Sequence, residues 1–156
     1  MGEVRLRPAT IADAQLLFAW RNDPLTRTQS IRTQPVEWES HLAWLAASLQ
    51  NPDRQLFIAE QALPVEQATV VLGTVRADKM DEEYELSWTV APEQRGNGWG
   101  RKMVAALIDQ LPAGVAYQAV VLNTNPVSQR IAAGLGMVVK SSSPSQTIFA
   151  GRKQAL

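Results

Sequence analysis

The chain predicts a mixed α/β fold, and three observations carry that prediction. Segments with apolar residues at helical spacing alternate with shorter segments rich in β-branched and aromatic residues. Three of the shorter segments follow one another directly, as in an antiparallel meander, and a glycine-rich turn joins the last of them to a helix. The 156 residues suit one domain, residues 1–156, around one hydrophobic core.

A strand opens the chain. Thr10-Ile11-Ala12-Asp13 then reads as a capping box, the threonine satisfying a free helical N–H and Asp13 favoured in the first turn. A first helix is predicted over 11–21, ending before Asn22-Asp23-Pro24. After an irregular stretch comes a second helix over 37–49. Trp38, Leu42, Leu45 and Leu49 recur at helical spacing there, and His41, Trp44 and Ser48 form a neighbouring stripe. Strands follow over 56–61, 68–78 and 84–90, broken by Pro64 and by the polar turn 79–82. The turn Gly96-Asn97-Gly98-Trp99-Gly100 leads into a helix with Met103, Val104, Leu107, Ile108 and Leu111 on one side. A buried strand over 117–122, a helix over 126–135 with Pro126 near its first turn, and a hairpin of 137–140 with 146–151 complete seven strands.

Composition narrows the function. Lysine plus arginine number 15 and aspartate plus glutamate 15, so no bulk charge asks for nucleic acid or an anionic membrane. With no cysteine there is no disulfide frame or thiolate zinc site, and His41, the sole histidine, rules out histidine-rich metal sites. Met1-Gly2-Glu3-Val4-Arg5-Leu6 carries no signal core or myristoylation pattern, and no stretch approaches the roughly 18 apolar residues of a membrane span. A cytoplasmic enzyme or binding module is expected.

The glycine-rich turn carries the chemistry. A turn that leaves a strand and opens a helix gathers unpaired N–H groups at the positive end of the helix dipole, which suits a phosphate or diphosphate. Glycines at 96, 98 and 100 permit close backbone approach, and Arg95, Arg101 and Lys102 add local positive charge. The bland alternative is a glycine-rich connection with solvated basic residues. The dinucleotide fingerprint fails because Arg101 and Met103 stand where its last glycine is needed, and the P-loop fails for want of Gly-Lys followed by serine or threonine.

Arg95, Gly98 and Gly100 meet the pattern R/Q-x-x-G-x-G/A, preceded by Val90-Ala91-Pro92-Glu93. This resembles the acetyl-coenzyme A motif of the GNAT superfamily of N-acetyltransferases. Asn125-Pro126-Val127-Ser128 leading to Leu135-Gly136-Met137 is similar to a second hallmark of that superfamily. Trp20-Arg21-Asn22-Asp23 and Glu39-Ser40-His41-Leu42-Ala43-Trp44 look like the branch with amino-sugar nucleotide acetyltransferases of the pseudaminic-acid type, and more loosely like ribosomal-protein and polyamine acetyltransferases. One departure stands out: Ala132 occupies the position of the tyrosine that protonates the departing thiolate in many members.

The resemblance implies a mostly antiparallel sheet with helices on both faces, splayed between the fourth and fifth strands. It implies acetyl-CoA as cosubstrate, no metal, and a small-molecule amine as acceptor. Cofactor contacts would fall to Val90, Arg95, Gly96, Asn97, Gly98, Trp99, Gly100, Arg101, Asn125 and Ser128. A backbone N–H near Val90 would polarise the thioester carbonyl while the amine attacks directly. Glu85, or His41 with its near-neutral titration, would take the amine proton. Trp20, Arg21, Asn22 and His41 would border the acceptor, Arg21 pairing with a phosphate. Each has a plainer reading: Glu85 as a solvated edge carboxylate, His41 as a packed histidine, Trp20 and Trp99 as core, Arg21 as a surface residue at a helix end. A protein N-terminus or a polyamine is the alternative acceptor, and a silent acetyl-CoA-binding regulator the alternative class. An exposed sheet edge or the closing hairpin leaves a homodimer open.

Overall fold

The computed structural model describes residues 3–63 and 68–155. Pro64, the expected break between the first two strands of the meander, lies outside the described residues. Seven strands, β1 (Val4–Pro8), β2 (Arg54–Ala62), β3 (Thr69–Met80), β4 (Glu83–Val90), β5 (Ala116–Leu122), β6 (Val138–Ser142) and β7 (Gln146–Arg152), form one sheet in the order β1-β2-β3-β4-β5-β7-β6. Every neighbouring pair is antiparallel except β4 and β5. A parallel pair needs a crossover, and α4 (Trp99–Asp109) supplies it.

At the N-terminal side a single 3-10 turn, Ile11–Asp13, leads into α1 (Ala14–Asn22). The capping box forms, with the Asp13 carboxylate accepting the Thr10 N–H at 2.8 Å. Arg7 of β1 donates to the same carboxylate at 2.8 and 2.9 Å and to Glu60 of β2 at 2.9 Å, which ties the helix start to the sheet edge. Asp23-Pro24 both stops α1 and starts a second helix where an irregular stretch is expected from the sequence. Asp23 accepts the Thr26 N–H at 3.1 Å and Pro24 takes the first position of α2 (Pro24–Thr28), where its missing N–H is harmless.

The next helix, α3 (Trp38–Gln50), is rotated from its expected orientation. Its buried stripe is His41, Leu45 and Ser48, while Trp38 and Leu49 are each 37% exposed. The two polar residues lie inward because each has a partner: His41 Nε2 donates to the Ala14 carbonyl at 3.1 Å, and the Ser48 hydroxyl accepts from Arg54 at 2.9 Å. Leu45 packs with Leu17 and Trp20 of α1 against Leu56 and Ile58 on one face of the sheet. On the other face Met103, Val104 and Leu107 of α4 press on Leu72, Val75, Ala77 and Leu86. Fully burying each such side chain contributes about 1.5–3 kcal/mol.

Two details of the sheet position the site. Glu83, Tyr84 and Glu85 of β4 pair with Ala116, Tyr117 and Gln118 of β5, and beyond them the strands part. Because β4 stays on β3 as far as Val90 and β5 stays on β7 as far as Leu122, the sheet opens as a wedge. At the open end Gly73 of β3 lies opposite Val90, with φ 157° beside a bulge in the β2–β3 pairing. A Cβ at position 73 would stand 2.2 Å from the Thr89 carbonyl oxygen, so only glycine lets β4 come this close.

Candidate active site

The wedge opens into a cavity of about 770 Å³ that reaches both faces of the sheet. Its central wall is the free edge of β4. The Ala91 N–H donates to Leu72 of β3 at 2.8 Å, so strand alternation turns the N–H groups of Val90 and Trp88 the other way, into the wedge. Two backbone donors thus face the wedge, beyond the last β4–β5 pair, and of the two residues Trp88 lines the cavity while Val90 does not.

The glycine-rich turn stands at the end of this edge. Gly96 and Gly98 have φ of 80° and 79°, and Gly98 is the N-cap residue of α4. A Cβ at either position would meet nothing within 4 Å, so these glycines serve backbone conformation and leave the outer side of the turn open. Gly100 serves packing instead: a Cβ there would lie 2.6 Å from Ile131 Cδ1, so its absence lets α4 close on α5 (Pro126–Gly134). Arg101 and Asn97 are exposed, Arg101 lying over Gly134 and Asn97 bonding the Gln94 carbonyl at 3.4 Å. The side chains of Arg95 and Trp99 face inward. Trp99 belongs to the core beneath α4, with the Lys102 ammonium 5.6 Å from its ring centroid. Arg95 donates to the Thr26 hydroxyl at 3.0 Å and forms an ion pair with Asp23, whose hydrogen bond from the guanidinium holds the Asp23 carboxyl below its usual titration range. At these two positions a ligand meets backbone.

Across the wedge, Asn125 caps α5 by accepting the Ser128 N–H at 3.2 Å. The Ser128 hydroxyl accepts the Trp88 indole N–H at 3.1 Å, which leaves its own proton free to donate elsewhere. Both line the cavity. Ala132, one turn further along α5, is fully buried in the core and presents nothing to the cavity.

The opposite end of the cavity is walled by α1, α3 and β3. Trp20 is 3% exposed and is core, with the cavity on one side. Arg21 lines the cavity. Asn22 does not: its side-chain amide accepts the Val36 N–H at 2.7 Å and donates to the Val36 carbonyl at 2.9 Å, pinning the chain ahead of α3. His41 lines the cavity from within a cluster of Phe18, Trp38 and Trp44 rings, at centroid distances of 5.4, 6.2 and 5.8 Å. Burial lowers its pKa below 6.5, so the neutral tautomer with the proton on Nε2 dominates at pH 7. Glu85 faces the same side but lies at the closed end of the wedge, paired with Gln118, and is not part of the cavity wall.

Sequence reasoning missed several of the wall residues, among them Arg32, Trp44 as a cavity surface, and Arg76. Arg76 had a signal: a lone charge inside the mostly apolar run from Val70 to Ala77, on the face shared with Thr74 and Asp78. Arg32 had none, since it sits in an irregular segment whose position depends on the Asn22–Val36 clamp. Among the described residues no group of histidine, cysteine, aspartate or glutamate could hold a metal, and no helix is long and apolar enough to cross a membrane.

The same architecture recurs in solved proteins. A domain from Methanocaldococcus jannaschii superposes with a TM-score of 0.84 at 21% identity, covering 97% of this chain and 99% of that one. A spermidine N-acetyltransferase from Vibrio cholerae, solved with CoA and spermine, gives 0.85 at 15% identity over 97% and 96%. The yncA protein of Salmonella typhimurium, solved with acetyl-CoA, gives 0.75 at 20% identity over 99% and 96%. At such identities these likenesses establish the fold. No curated protein sequence matches the chain. The sequence itself matches the description "Acetyltransferase (GNAT) domain" over residues 3–138, which takes in the splayed strands, the glycine-rich turn and the capped helix α5, and the chain therefore belongs to the GNAT acetyltransferase family.

Proposed function

We propose that the protein is an acetyl-CoA-dependent N-acetyltransferase that passes the acetyl group directly to a small-molecule amine. The observation that carries this reading is the free edge of β4, running from the wedge to the open glycine-rich turn. These residues fit the cosubstrate: the turn offers N–H groups at the positive end of α4 for a diphosphate, and Trp88 and Val90 offer outward N–H groups for an extended amide-bearing arm. Acetyl-CoA supplies an acetyl group activated as a thioester. The Val90 N–H would hold the acetyl oxygen and stabilise the negative charge that develops there as the amine attacks. Ser128, its lone pair engaged by Trp88, has a proton to offer the leaving sulfur. A thiol of pKa about 8.5 near a helix N-terminus also leaves readily as the anion.

The amine proton goes to His41 or Glu85. His41 lines the cavity as a neutral imidazole, with Nδ1 as its acceptor nitrogen, and is the better placed of the two. Two acceptor classes follow from the sequence resemblance and the spermidine-acetylating neighbour: amino-sugar nucleotides and polyamines.

Purified protein mixed with acetyl-CoA and a panel of a nucleotide-linked amino sugar, a peptide N-terminus and spermidine tests the reading through release of free thiol. Turnover with a member of the panel supports it. CoA binding without turnover favours a regulatory acetyl-CoA-binding domain, the reading to which the buried Ala132 lends weight. Absence of CoA binding removes both.

A further inference from the structure

The acceptor end of the cavity has a charge pattern that the acetyltransferase reading does not require. Three guanidinium groups, Arg21, Arg32 and Arg76, line it, and among the described residues no carboxylate does. One of the three, Arg21, has a buried nitrogen, Nη1, without a hydrogen bond among the described residues, and Arg76 shares its carboxylate partner, Asp78, with Arg54. An unpaired donor on a buried cation is costly, and one that stands in a cavity wall is placed for a ligand to complete it.

The surroundings of each arginine leave it positive charge to offer a ligand. Arg21 is fixed by its other arm, Nη2 donating to the Arg32 carbonyl at 3.2 Å, which keeps Nη1 in the wall. The Arg76 Nε lies 3.1 Å from Asp78 Oδ2, but that carboxylate also accepts from Arg54 at 2.7 and 3.3 Å, so one negative charge is shared between two guanidinium groups. Its guanidinium carbon sits 5.9 Å from the Trp44 ring centroid, as does that of Arg54, so the indole braces the pair from the cavity side. Glu85, whose charge also acts on Arg76, stands behind it at the closed end of the wedge.

We infer that Arg21 and Arg76 form an anion-binding subsite, and that the amine acetylated by this protein carries a carboxylate or phosphate group. The inference rests on the acetyltransferase reading and deepens it by naming the acceptor class. A polyamine would bring several positive charges toward three arginines with no acid in the wall to receive them, and is disfavoured on that ground. The three arginines line the cavity and no residue of the glycine-rich turn does, so the subsite is separate from the diphosphate contacts.

The test compares matched amines in the thiol-release assay: an amino acid against its methyl ester, an amino sugar against its phosphate ester, and spermidine. The anionic member of a pair should have a kcat/KM about 10- to 100-fold above its neutral partner, carried mainly by KM. Whichever pair shows the larger ratio distinguishes carboxylate from phosphate. In Arg21→Gln and Arg76→Gln the ratio should fall toward 1, while the Kd for CoA stays within about twofold of the parent. Equal kcat/KM within both pairs, a preference for spermidine, or an anion preference that survives both substitutions overturns the subsite. If no amine turns over, the acetyltransferase reading fails on its own, and the subsite is judged by calorimetric titration of CoA-saturated protein with inorganic phosphate and with citrate. Binding lost in Arg21→Gln then supports it, and no binding, or binding indifferent to Arg21, overturns it.

Discussion

Substitutions at Gly98 separate the two jobs assigned to the turn. The backbone there has φ 79°, and a Cβ would meet nothing within 4 Å, so a side chain adds strain without a clash. A left-handed conformation costs a non-glycine residue about 1–2 kcal/mol, which in a domain of this size lowers Tm by about 2–8 °C. That loss should be nearly the same in Gly98→Ala, Gly98→Glu and Gly98→Lys. Affinity for CoA should instead sort by charge. A carboxylate a few ångströms from a diphosphate in partly solvated surroundings opposes binding by about 1–3 kcal/mol, a loss of about 5- to 150-fold in Gly98→Glu relative to Gly98→Ala. Gly98→Lys should bind at least as well as Gly98→Ala. Calorimetric titration with CoA at low salt, repeated in 1 M salt where screening shrinks the difference, reads the effect, and a thermal melt on each sample reads the strain. If Gly98→Glu and Gly98→Lys bind CoA equally, the diphosphate does not lie against this turn, and the placement of the cosubstrate is wrong.

Further expectations follow from single contacts. Gly73→Ala sets a Cβ against the Thr89 carbonyl, a backbone atom that cannot swing aside, so urea unfolding should show a loss of about 2–4 kcal/mol, with weakened CoA binding as β4 is pushed from its place. Asn125→Ala removes the cap of α5 and should cost about 1 kcal/mol, a drop of about 2–4 °C in Tm. Burial depresses the His41 pKa, so the unfolded chain binds more protons on the acid side. Stability should be whole above pH 6.5 and should fall, by at most about 1.4 kcal/mol per pH unit, as pH drops from 6.5 toward the folded-state pKa. A urea midpoint in His41→Gln that declines just as steeply over this range contradicts the assignment. His41→Gln should also lower kcat more than Glu85→Gln does, since only His41 lines the cavity, and the reverse ranking in the thiol assay would transfer the base role to Glu85.

What was legible in the sequence was whatever depends on neighbours along the chain. The capping box at Thr10, the period of α4 and the alternation of β4 are local arrangements, and the structure contains all three. The positive φ of Gly96 and Gly98 was likewise legible, because only glycine adopts it freely. The rotation of α3 was not, since Trp38 and Leu49 fit the apolar stripe by spacing alone. His41 and Ser48 displace them through bonds to Ala14 and Arg54, partners that the fold brings together. Asn22, Arg95 and Arg76 illustrate the same limit. A sequence shows that a side chain can donate, but not whether a distant residue such as Val36 or Asp23 already receives, and Arg76 holds only a share of the Asp78 carboxylate because Arg54 bonds it as well.

The ion pair between Arg95 and Asp23 has a practical corollary for anyone altering this protein. One guanidinium fastens the loop that would grip the acyl donor to the corner from which Arg21 projects, with Thr26 as a second anchor. The donor and recipient halves are therefore bolted to a shared bracket and do not behave as interchangeable modules. Transplanting residues 21–36 from another family member would carry over its selectivity only if positions 23 and 95 travel as a matched couple; otherwise the graft loosens thioester capture along with amine choice.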